Sequence, residues 1–528
     1  MRRERTRWLE RSPGAVWAVV VTLLATQAAD AIYDAAKAAE IFDGLFSDDV
    51  RRAKGTRDSR DDLEVAGRIL EAAGRSADEP EFVRRACEAA YDLASTHREG
   101  YETAIEAMDL LSRHVPARAA ACAEGVLAIR QKQFDGARGP ERLVAGEVLL
   151  DLVLPAAEAK VAALDLAEAS SLYRQAATIA RAAATVRRAE IEARCQWLTQ
   201  ATAALDEARR LEAVLGEKPA DTASRDRLVR LYLADLDRPG DAAKHVEGLA
   251  DASLRKYVPA AARPLEDAPA LACLELGQWY VGLAEAAPRH AKDTLYSRAE
   301  TYLERFLDIY PEEGLERTRA ATALKKIETA YDTLDPRRWL DLLPRIDPKT
   351  HAAEGNWERQ GKAVAIVRWA HYGRIMIPAI LRGSYDLRTT FVRTTGDGIV
   401  GVALPVGSTD VLLVLSYQGS HGLGELDKRD AASNESTFRP GTLENGRPYD
   451  LRIAVRVEDT QAAIRVRLDG KAVIRWRGPQ SALALGEYWR LPRRDCPGFV
   501  AYNSNVVFAS AAVRTCSCRT LRPTAAGN

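Results

Sequence analysis

The spacing of apolar residues changes once along the chain, and the change separates two kinds of structure. From about residue 32 to residue 334, apolar side chains recur three and four positions apart. This spacing places them on one face of successive α-helices. From Phe82 to Pro116, two such helices join at Gly100 and form a hairpin of the length that repeat proteins stack on their neighbours. The pattern predicts an all-α helical-repeat region over 32–334.

After Asp335-Pro336, apolar and polar residues alternate in short segments that are separated by turn residues. Alternation with a period of two is typical of β-strands with one buried face. The strands are predicted at 384–393, 398–407, 410–418, 448–458, 462–470 and 471–478. Short strands at this spacing indicate an all-β antiparallel sandwich. We expect a linker or entry to the sandwich at 335–360, the sandwich at 361–520 and a disordered tail at 521–528.

The N-terminus has the layout of a secretory signal peptide over residues 1–31. Five arginines precede a short apolar core, Ala15–Ala25, and small residues follow it. Ala29-Asp30-Ala31 and Thr26-Gln27-Ala28 both fit a cleavage site. No other apolar run approaches the roughly 20 residues that span a bilayer, so no stable membrane span is expected. The layout predicts export to the periplasm, the cell envelope or the medium.

Charge and cysteine content narrow the chemistry further. Lys and Arg together number 75, as do Asp and Glu, so no net charge favours nucleic acid as a partner. In an exported protein, a disulfide from Cys496 to Cys516 or Cys518 is plausible. A Cys-x-Cys metal site at Cys516 and Cys518 is the alternative, but no further ligand supports it. We therefore predict neither a metal nor another cofactor.

The helical region resembles a divergent tetratricopeptide-repeat protein near its end. Its matching positions are Leu276, Gly277, Tyr280, Ala299, Leu303, Phe306 and Pro311. The glycine lets two helices approach closely, and the aromatic residue fills the groove beside it. The sequence departs from the repeat by a longer turn, "AEAAPRHAKD", between the two halves. The resemblance implies a groove for protein partners.

The second region resembles a concanavalin-A-like, laminin-G-like jelly roll. The resemblance lies in "WLDLLPRIDP", "GNWERQGKAV", "IPAILRGSYDLRTTFVR" and "NGRPYDLRIAVRV", which is followed by "AAIRVRLDGKAVIRWRG". It covers about 336–515 and is similar to the domain family named 3-keto-disaccharide hydrolase, a relative by fold of lectins and of family-16 glycoside hydrolases. It implies carbohydrate binding, or hydrolase or lyase activity on sugars.

Glycosidases of this fold carry their carboxylates on a strand that reads E-x-D-x-x-E. The nearest segment here is Glu425-x-Asp427-x-x-Asp430, whose last position is one methylene shorter. Its neighbours, "GSHGLG" and "AASNEST", read as a loop rather than a strand. These three residues are weak catalytic candidates, and a solvated charged loop is the simpler interpretation.

Arginines alternate with apolar residues on the last three predicted strands. Alternation places all six on one face of the sheet, and the Asp469-Gly470 turn pairs the last two strands directly. The candidate ligand-binding residues are Arg452, Arg456, Arg465, Arg467, Arg475 and Arg477. Because arginine binds carboxylate and sulfate bidentately, an acidic glycan or acidic partner is the predicted ligand. An ordinary solvated face, with Glu458 and Asp459 cancelling charge, is the alternative.

The sequence thus favours an exported, non-enzymatic binding or scaffold protein. In this interpretation the helical repeats bind a protein partner and the lectin-like sandwich binds carbohydrate or an acidic partner. A carbohydrate-active hydrolase or lyase is the first alternative, and it rests on the resemblance. A purely structural scaffold of the cell envelope is the second.

Overall fold

The computed structural model describes residues 35–56, 59–310, 312, 314–334, 339–368 and 372–516. The chain forms two compact units, 1–152 and 153–528. The predicted signal peptide, 1–31, and the predicted tail, 521–528, lie outside the described residues. Within the described residues, no helix combines the length and the hydrophobicity that a membrane crossing requires.

The first unit is entirely helical. Its helices are α1 (35–55), α2 (Ser59–Arg75), α3 (Pro80–Ala94), α4 (Tyr101–His114) and α5 (Ala119–Gly136), and α6 (Gly139–Ala162) contains the boundary between the units. The hairpin predicted at Phe82 to Pro116 is present as α3 and α4. Gly100 joins them, and a Cβ atom there would lie 2.4 Å from the Ala94 carbonyl oxygen, so the turn closes only around glycine.

The second unit begins with further helices. They are α7 (Leu166–Ala183), α8 (Arg188–Glu217), α9 (Thr222–Arg230), α10 (Pro239–Ala243), α11 (Ala252–Ala261), α12 (Ala270–Ala286), α13 (Arg289–Ile309) and α14 (Leu315–Leu334). A π-turn at Leu231–Asp235 follows α9. Asp165, Asp221 and Asp251 precede α7, α9 and α11, and each side chain accepts a hydrogen bond from a backbone N–H of the first turn. These N-caps explain why the helices begin where they do.

Gly277 and Tyr280 both lie on the side of α12 that packs on α13. A Cβ atom on Gly277 would lie 2.5 Å from Leu303 Cγ of α13, so the two helices touch at the glycine. Tyr280 stacks on Tyr302 with ring centroids 5.9 Å apart. The pair of helices therefore packs through a glycine and an aromatic stack.

The β-region begins directly after α14. Its strands are β1 (Leu340–Asp341), β2 (Ala352–Glu354), β3 (Asn356–Gln360), β4 (Ala363–Arg368), β5 (Gly373–Met376), β6 (Ser384–Gly396), β7 (Val400–Val406), β8 (Thr409–Tyr417), β9 (Ser420–Leu423), β10 (Glu425–Leu426), β11 (Arg429–Asp430), β12 (Pro448–Glu458), β13 (Gln461–Leu468), β14 (Lys471–Pro479), β15 (Leu483–Ala484), β16 (Gly498–Ala501) and β17 (Ser504–Cys516). A short helix, α15 (Pro348–His351), precedes β2.

The strands form two main antiparallel sheets and one small sheet. Sheet I has the order β14-β13-β12-β6-β17-β4-β3, with β1 also paired to β17. Sheet II has the order β2-β5-β16-β7-β8-β9. Sheet III, with the order β11-β10-β15, is small. The described residues thus contain a helical region followed by an antiparallel β-sandwich, which confirms the predicted fold class.

One apolar core lies between sheets I and II. It includes Tyr385, Phe391 and Phe508 from sheet I and Leu413 and Phe499 from sheet II. The alternation on β12 to β14 puts the predicted apolar residues into this core, and Asp469 and Gly470 form the β13–β14 turn with φ of 50° and 78°. Sheet II also carries a separate apolar cluster on its other face, so both of its faces are partly apolar.

In the segment expected to be a linker or the entry to the sandwich, 335–360, the described residues form β1, β2 and β3, which pair with β17, β5 and β4. The expected disulfide differs from the structure. Cys496 and Cys516 are both free thiols, so the structure contains no bridge between them. The Cys516 thiol donates instead to Asp386 Oδ2 at 3.5 Å. Cys518 lies outside the described residues.

Candidate functional site

The arginines of β12, β13 and β14 lie on the outer face of sheet I, and α13 and α14 face them. Glu328 of α14 accepts from Arg452 at 2.9 Å and from Arg467 at 2.8 Å. Arg465 contacts both Glu304 and Asp308 of α13 at 2.7 Å. The acidic groups that these arginines bind are therefore supplied by the helices of the same unit.

Two further arginines of this set, Arg475 and Arg477, lie on β14. Arg477 pairs with Glu458 at 3.1 Å, which is the charge cancellation that the solvated-face alternative invoked. Arg475 lines a cavity of about 90 Å³ between the helices and sheet I. An external acidic ligand on this face would have to displace the carboxylates of α13 and α14, so the face is a poor first candidate for a ligand site.

Asp386 lies at the centre of the buried charges on this face. Its carboxylate accepts from Arg456 at 2.7 Å and from Arg514 at 2.6 Å. Burial raises the pKa of Asp386, but the two guanidinium groups outweigh burial and hold the pKa well below its usual range. Arg514 also lies over the rings of Tyr331 and Trp339, at 4.6 and 5.2 Å.

A groove of about 400 Å³ lies on the face of sheet II that points away from the main core. Leu412 and Val414 of β8 form part of its floor, while Val411, Leu413 and Leu415 of the same strand enter the core. Strict alternation along β8 thus gives one strand two apolar faces. An apolar surface outside the core is unusual on a strand unless another segment or a ligand packs against it.

The aromatic side chains of Tyr372, Trp489 and Tyr502 line this groove, and Tyr488 stacks on Tyr372 beside it. The ring of Tyr372 lies 5.3 Å from Tyr488, 5.2 Å from Trp489 and 5.1 Å from Tyr502. The Tyr372 and Tyr488 rings are nearly parallel, at 9°. Tyr488 is 68% exposed, which is high for a large aromatic side chain that already stacks on a neighbour. The cluster offers a rigid aromatic surface to solvent.

Sheet III forms another side of the groove. Glu425 and Asp430 are directly opposed on β10 and β11, and both line the groove. Asp427 and Lys428 make the connecting turn, with φ of 50° and 63°. The segment expected to be a charged loop is therefore a tight hairpin, because β10 also pairs with β15 and is held at both edges.

The two opposed carboxylates differ in their surroundings. Asp430 Oδ1 accepts from the Ser433 hydroxyl at 2.6 Å and from the Ala432 amide at 3.1 Å, so it stabilises the next turn. Glu425 is partly buried, and the exposed side chains of Lys428 and Arg429 line the same groove. Asp427, the third acidic candidate, is exposed in the turn and does not line the groove. In the described residues, no three or more His, Cys, Asp or Glu side chains form a group that could hold a metal ion.

Sequence reasoning did not single out Tyr372, Tyr488, Trp489 or Tyr502. One signal was present: Tyr488 and Trp489 are adjacent in an irregular segment that is bounded by Gly486 and Pro492. Large neighbouring aromatics without a strand pattern cannot both enter one core, so at least one is exposed. Their proximity to Tyr372, more than a hundred residues away, follows only from the pairing of β16 with β5.

The described region therefore belongs to the broad class of proteins with a two-sheet antiparallel β-sandwich, here preceded by helices. No protein-family model and no curated protein sequence matches the chain. Solved structures similar to it include the carbohydrate-binding module CBM66 from Bacillus subtilis (12% identity, TM-score 0.23), which matches over 31% of this chain and 94% of its own.

Two further similar structures are a protein of unknown function with a galectin-like fold and a seed lectin. The first, from Bacillus subtilis, has 9% identity and a TM-score of 0.24 over 33% of this chain and 94% of its own. The second, from Lotus tetragonolobus, has 7% identity and a TM-score of 0.25 over 34% of this chain and 98% of its own. Similarity at this level says nothing about what the groove binds.

Proposed function

We propose that the protein binds carbohydrate in the groove of sheet II. The observation that carries the proposal is the cluster of Tyr372, Tyr488, Trp489 and Tyr502 beside the polar side chains of sheet III. A ligand that suits this surface has one apolar face and many hydroxyl groups at its edges. Sugars have this combination.

The aromatic surface suits a pyranose ring for an electrostatic reason. The face of an aromatic ring carries negative charge from its π-electrons, and it attracts groups with partial positive charge. The axial C–H bonds on one side of a pyranose provide such groups. Tyr488 is already held by its stack on Tyr372, so little rotamer freedom is lost when a sugar packs against it.

The polar side chains of sheet III supply hydrogen-bond partners for the hydroxyl groups. The Glu425 carboxylate accepts from up to two adjacent hydroxyl groups, and Lys428 and Arg429 donate. Hydrogen bonds to charged groups are each worth about 1.5–3 kcal/mol. These hydrogen bonds determine which arrangement of hydroxyl groups is bound, whereas the aromatic surface provides affinity for sugars in general.

The test is binding of the full chain to a glycan array, followed by calorimetry with the best glycan. Tyr488→Ala and Trp489→Ala should each weaken binding at least about tenfold, because truncation of an aromatic anchor of a binding surface commonly costs about 2 kcal/mol or more. Tyr488→Phe keeps the ring and should bind like the wild type. Leu315→Ala removes an equally exposed apolar side chain, 59% exposed, away from the groove and serves as the control.

An array on which no glycan binds would count against the proposal. Equal loss in Tyr488→Ala and Leu315→Ala would show that binding does not depend on the groove. Unchanged binding in both aromatic variants would place the sugar elsewhere on the protein.

A carbohydrate-active hydrolase or lyase is the second candidate, and the opposed pair of Glu425 and Asp430 favours it. Directly opposed residues in an antiparallel pair have Cβ atoms about 4.5–5.5 Å apart. Side chains that start this close are able to bring their carboxyl groups to the separation of about 5–5.5 Å that retaining glycosidases use. Glu425→Gln should then abolish sugar release while it only weakens binding, since the amide oxygen still accepts one hydrogen bond. No release by the wild type from any glycan it binds would refute activity of this pair.

We place this binding outside the cytoplasm, because the N-terminal sequence has the layout of an export signal. The helices would then act as a scaffold that also contacts a protein partner, as their resemblance to tetratricopeptide repeats implies. Size-exclusion chromatography of the secreted fraction and N-terminal sequencing of the mature chain test the export. Retention of residues 1–31 in a cytoplasmic chain would contradict it.

A further inference from the structure

The contact between α13 and sheet I contains more buried acidic groups than basic ones. Arg456, Arg465 and Arg514 extend from β12, β13 and β17 towards the helix. The carboxylates around these three guanidinium groups are Glu300, Glu304, Asp308 and Asp386. Four carboxylates thus share three guanidinium groups in a region with little access to water.

Of the four carboxylates, Glu300 makes the longest contact with these arginines. Its nearest guanidinium nitrogen, on Arg456, lies 3.5 Å away. The corresponding contacts of Glu304, Asp308 and Asp386 are 2.7 Å or shorter. Arg456 is directed mainly at Asp386, so Glu300 receives only part of its charge. Buried charges that lack a close partner tend to bind or release a proton instead of staying ionised.

We propose that the contact between α13 and sheet I is pH-sensitive, that Glu300 is the group which gains and loses the proton, and that the contact loosens above neutral pH. When Glu300 is protonated, three carboxylates balance three guanidinium groups. When it is ionised, the excess negative charge is buried beside Glu304 and Asp386. Glu300 therefore holds a proton while α13 packs on sheet I, and it releases this proton when α13 separates from the sheet.

Charged and titratable groups face Glu300 from every neighbouring element. On its own helix the groups are Glu304 and, nearer the start of the helix, Arg289, His290 and Asp293. From the other elements the groups are Glu190, Glu192 and Arg194 of α8, Glu328, Tyr331 and Asp332 of α14, Asp386 and Arg388 of β6, Arg452 and Arg456 of β12, Arg465 and Arg467 of β13, Arg475 of β14, and Arg514 and Cys516 of β17. Glu190 and Arg194 lie across a wide groove of about 950 Å³, so they act on Glu300 more weakly than the sheet does.

Burial and the neighbouring charges shift the pKa of Glu300 in the direction that this geometry predicts. Burial, and then the neighbouring Glu304, raise the pKa of Glu300 to about 7, although Arg456 and Arg514 act in the opposite direction. Because this pKa lies above the value of an open helix, the stabilisation is complete below about pH 4.5 and is lost as the pH rises through 7. The interval from 4.5 to 7 sets an upper limit of roughly 300-fold on the change in opening.

The expected change is smaller than this limit because the Glu300 side chain is 21% exposed. Most of this change falls below pH 6, so between pH 6 and pH 9 we expect the opening equilibrium of α13 to rise severalfold, up to about tenfold. The measurement is hydrogen–deuterium exchange of the full chain by mass spectrometry, with labelling times scaled to the intrinsic exchange rate at each pH. Peptides from α3, in the first unit, provide the internal reference.

Substitutions at Glu300 test whether this residue is the group that causes the pH dependence. Glu300→Gln keeps the shape and cannot titrate in this range, so exchange of α13 should become independent of pH. Glu300→Met, an apolar replacement of similar size, should do the same and is the second choice if the first variant does not fold. Glu285→Gln removes a carboxylate that is 44% exposed and pairs with Lys326, and it should keep the wild-type pH dependence.

Two results would overturn the proposal. One is exchange of α13 in the wild type that, after correction, does not change between pH 6 and pH 9. The other is a pH dependence that persists in the folded variants of Glu300, which would assign the proton to another group.

Discussion

Replacing Asp386 by asparagine removes the carboxylate that two buried arginines share. The side chains involved are 11% exposed for Asp386, 17% for Arg456 and 9% for Arg514. Removing one partner of a buried ion pair costs about 3–5 kcal/mol, because the remaining charge stays buried without compensation. Arg456 keeps Glu300 and Glu304 at 3.5 and 3.9 Å, so we expect the lower end of this range, ~3 kcal/mol.

The assay is urea unfolding of the second unit at pH 7, followed by tryptophan fluorescence, with the free energy of unfolding as the result. Asp450→Asn is the matched control: Asp450 also pairs with an arginine of sheet I, Arg452, at 3.2 Å, but its side chain is 48% exposed. Exposed pairs contribute about 0–1 kcal/mol, so this variant should be nearly neutral. A loss below about 1 kcal/mol in Asp386→Asn, or equal losses in the two variants, would refute the reasoning from burial.

Three further changes have defined outcomes. Gly277→Ala places a methyl group against Leu303 and should destabilise by about 1–3 kcal/mol in thermal unfolding; Gly282→Ala in the same helix meets open space and should stabilise by up to about 1 kcal/mol. Burial lowers the pKa of His421 to about 4, so between pH 7 and pH 5 the wild type should lose about 1–2 kcal/mol of stability relative to His421→Gln; parallel profiles of the two proteins would contradict this. Gly470→Ala should cost about 1 kcal/mol in urea unfolding, because φ there is +78°, and an unchanged midpoint would show that the turn adapts.

Local patterns predicted the β-strands well. The segment expected at 448–458 is β12 with the same bounds, and the Asp469-Gly470 turn joins β13 to β14 as the sequence indicated. These features depend on alternation and on turn chemistry, which involve only neighbouring residues. The short strands β1, β2 and β3 carry too few residues to show an alternation, and their partners are distant in sequence.

The arginines on sheet I show what a local sequence pattern predicts and what it leaves undetermined. Alternation placed the six arginines on one face of sheet I, and the structure agrees. The matching acidic residues are also visible in the sequence: Glu300, Glu304 and Asp308 are four apart, a spacing that aligns them on one side of a helix. Nothing in either pattern states that this helix packs on that sheet, since the two segments are more than a hundred residues apart.

The sequence by itself determined the order of helices and strands, the inward and outward sides of the long strands, and the close contact at Gly277. Each depends on the periodicity or the size of residues that are near one another along the chain. Only the tertiary structure decided that α13 and α14 cover the arginines and that Tyr372 meets Trp489 and Tyr502 in a groove of sheet II, with Tyr488 stacked beside them. Those contacts join distant segments, and their free energy depends on burial and on exact distances, which no local pattern contains.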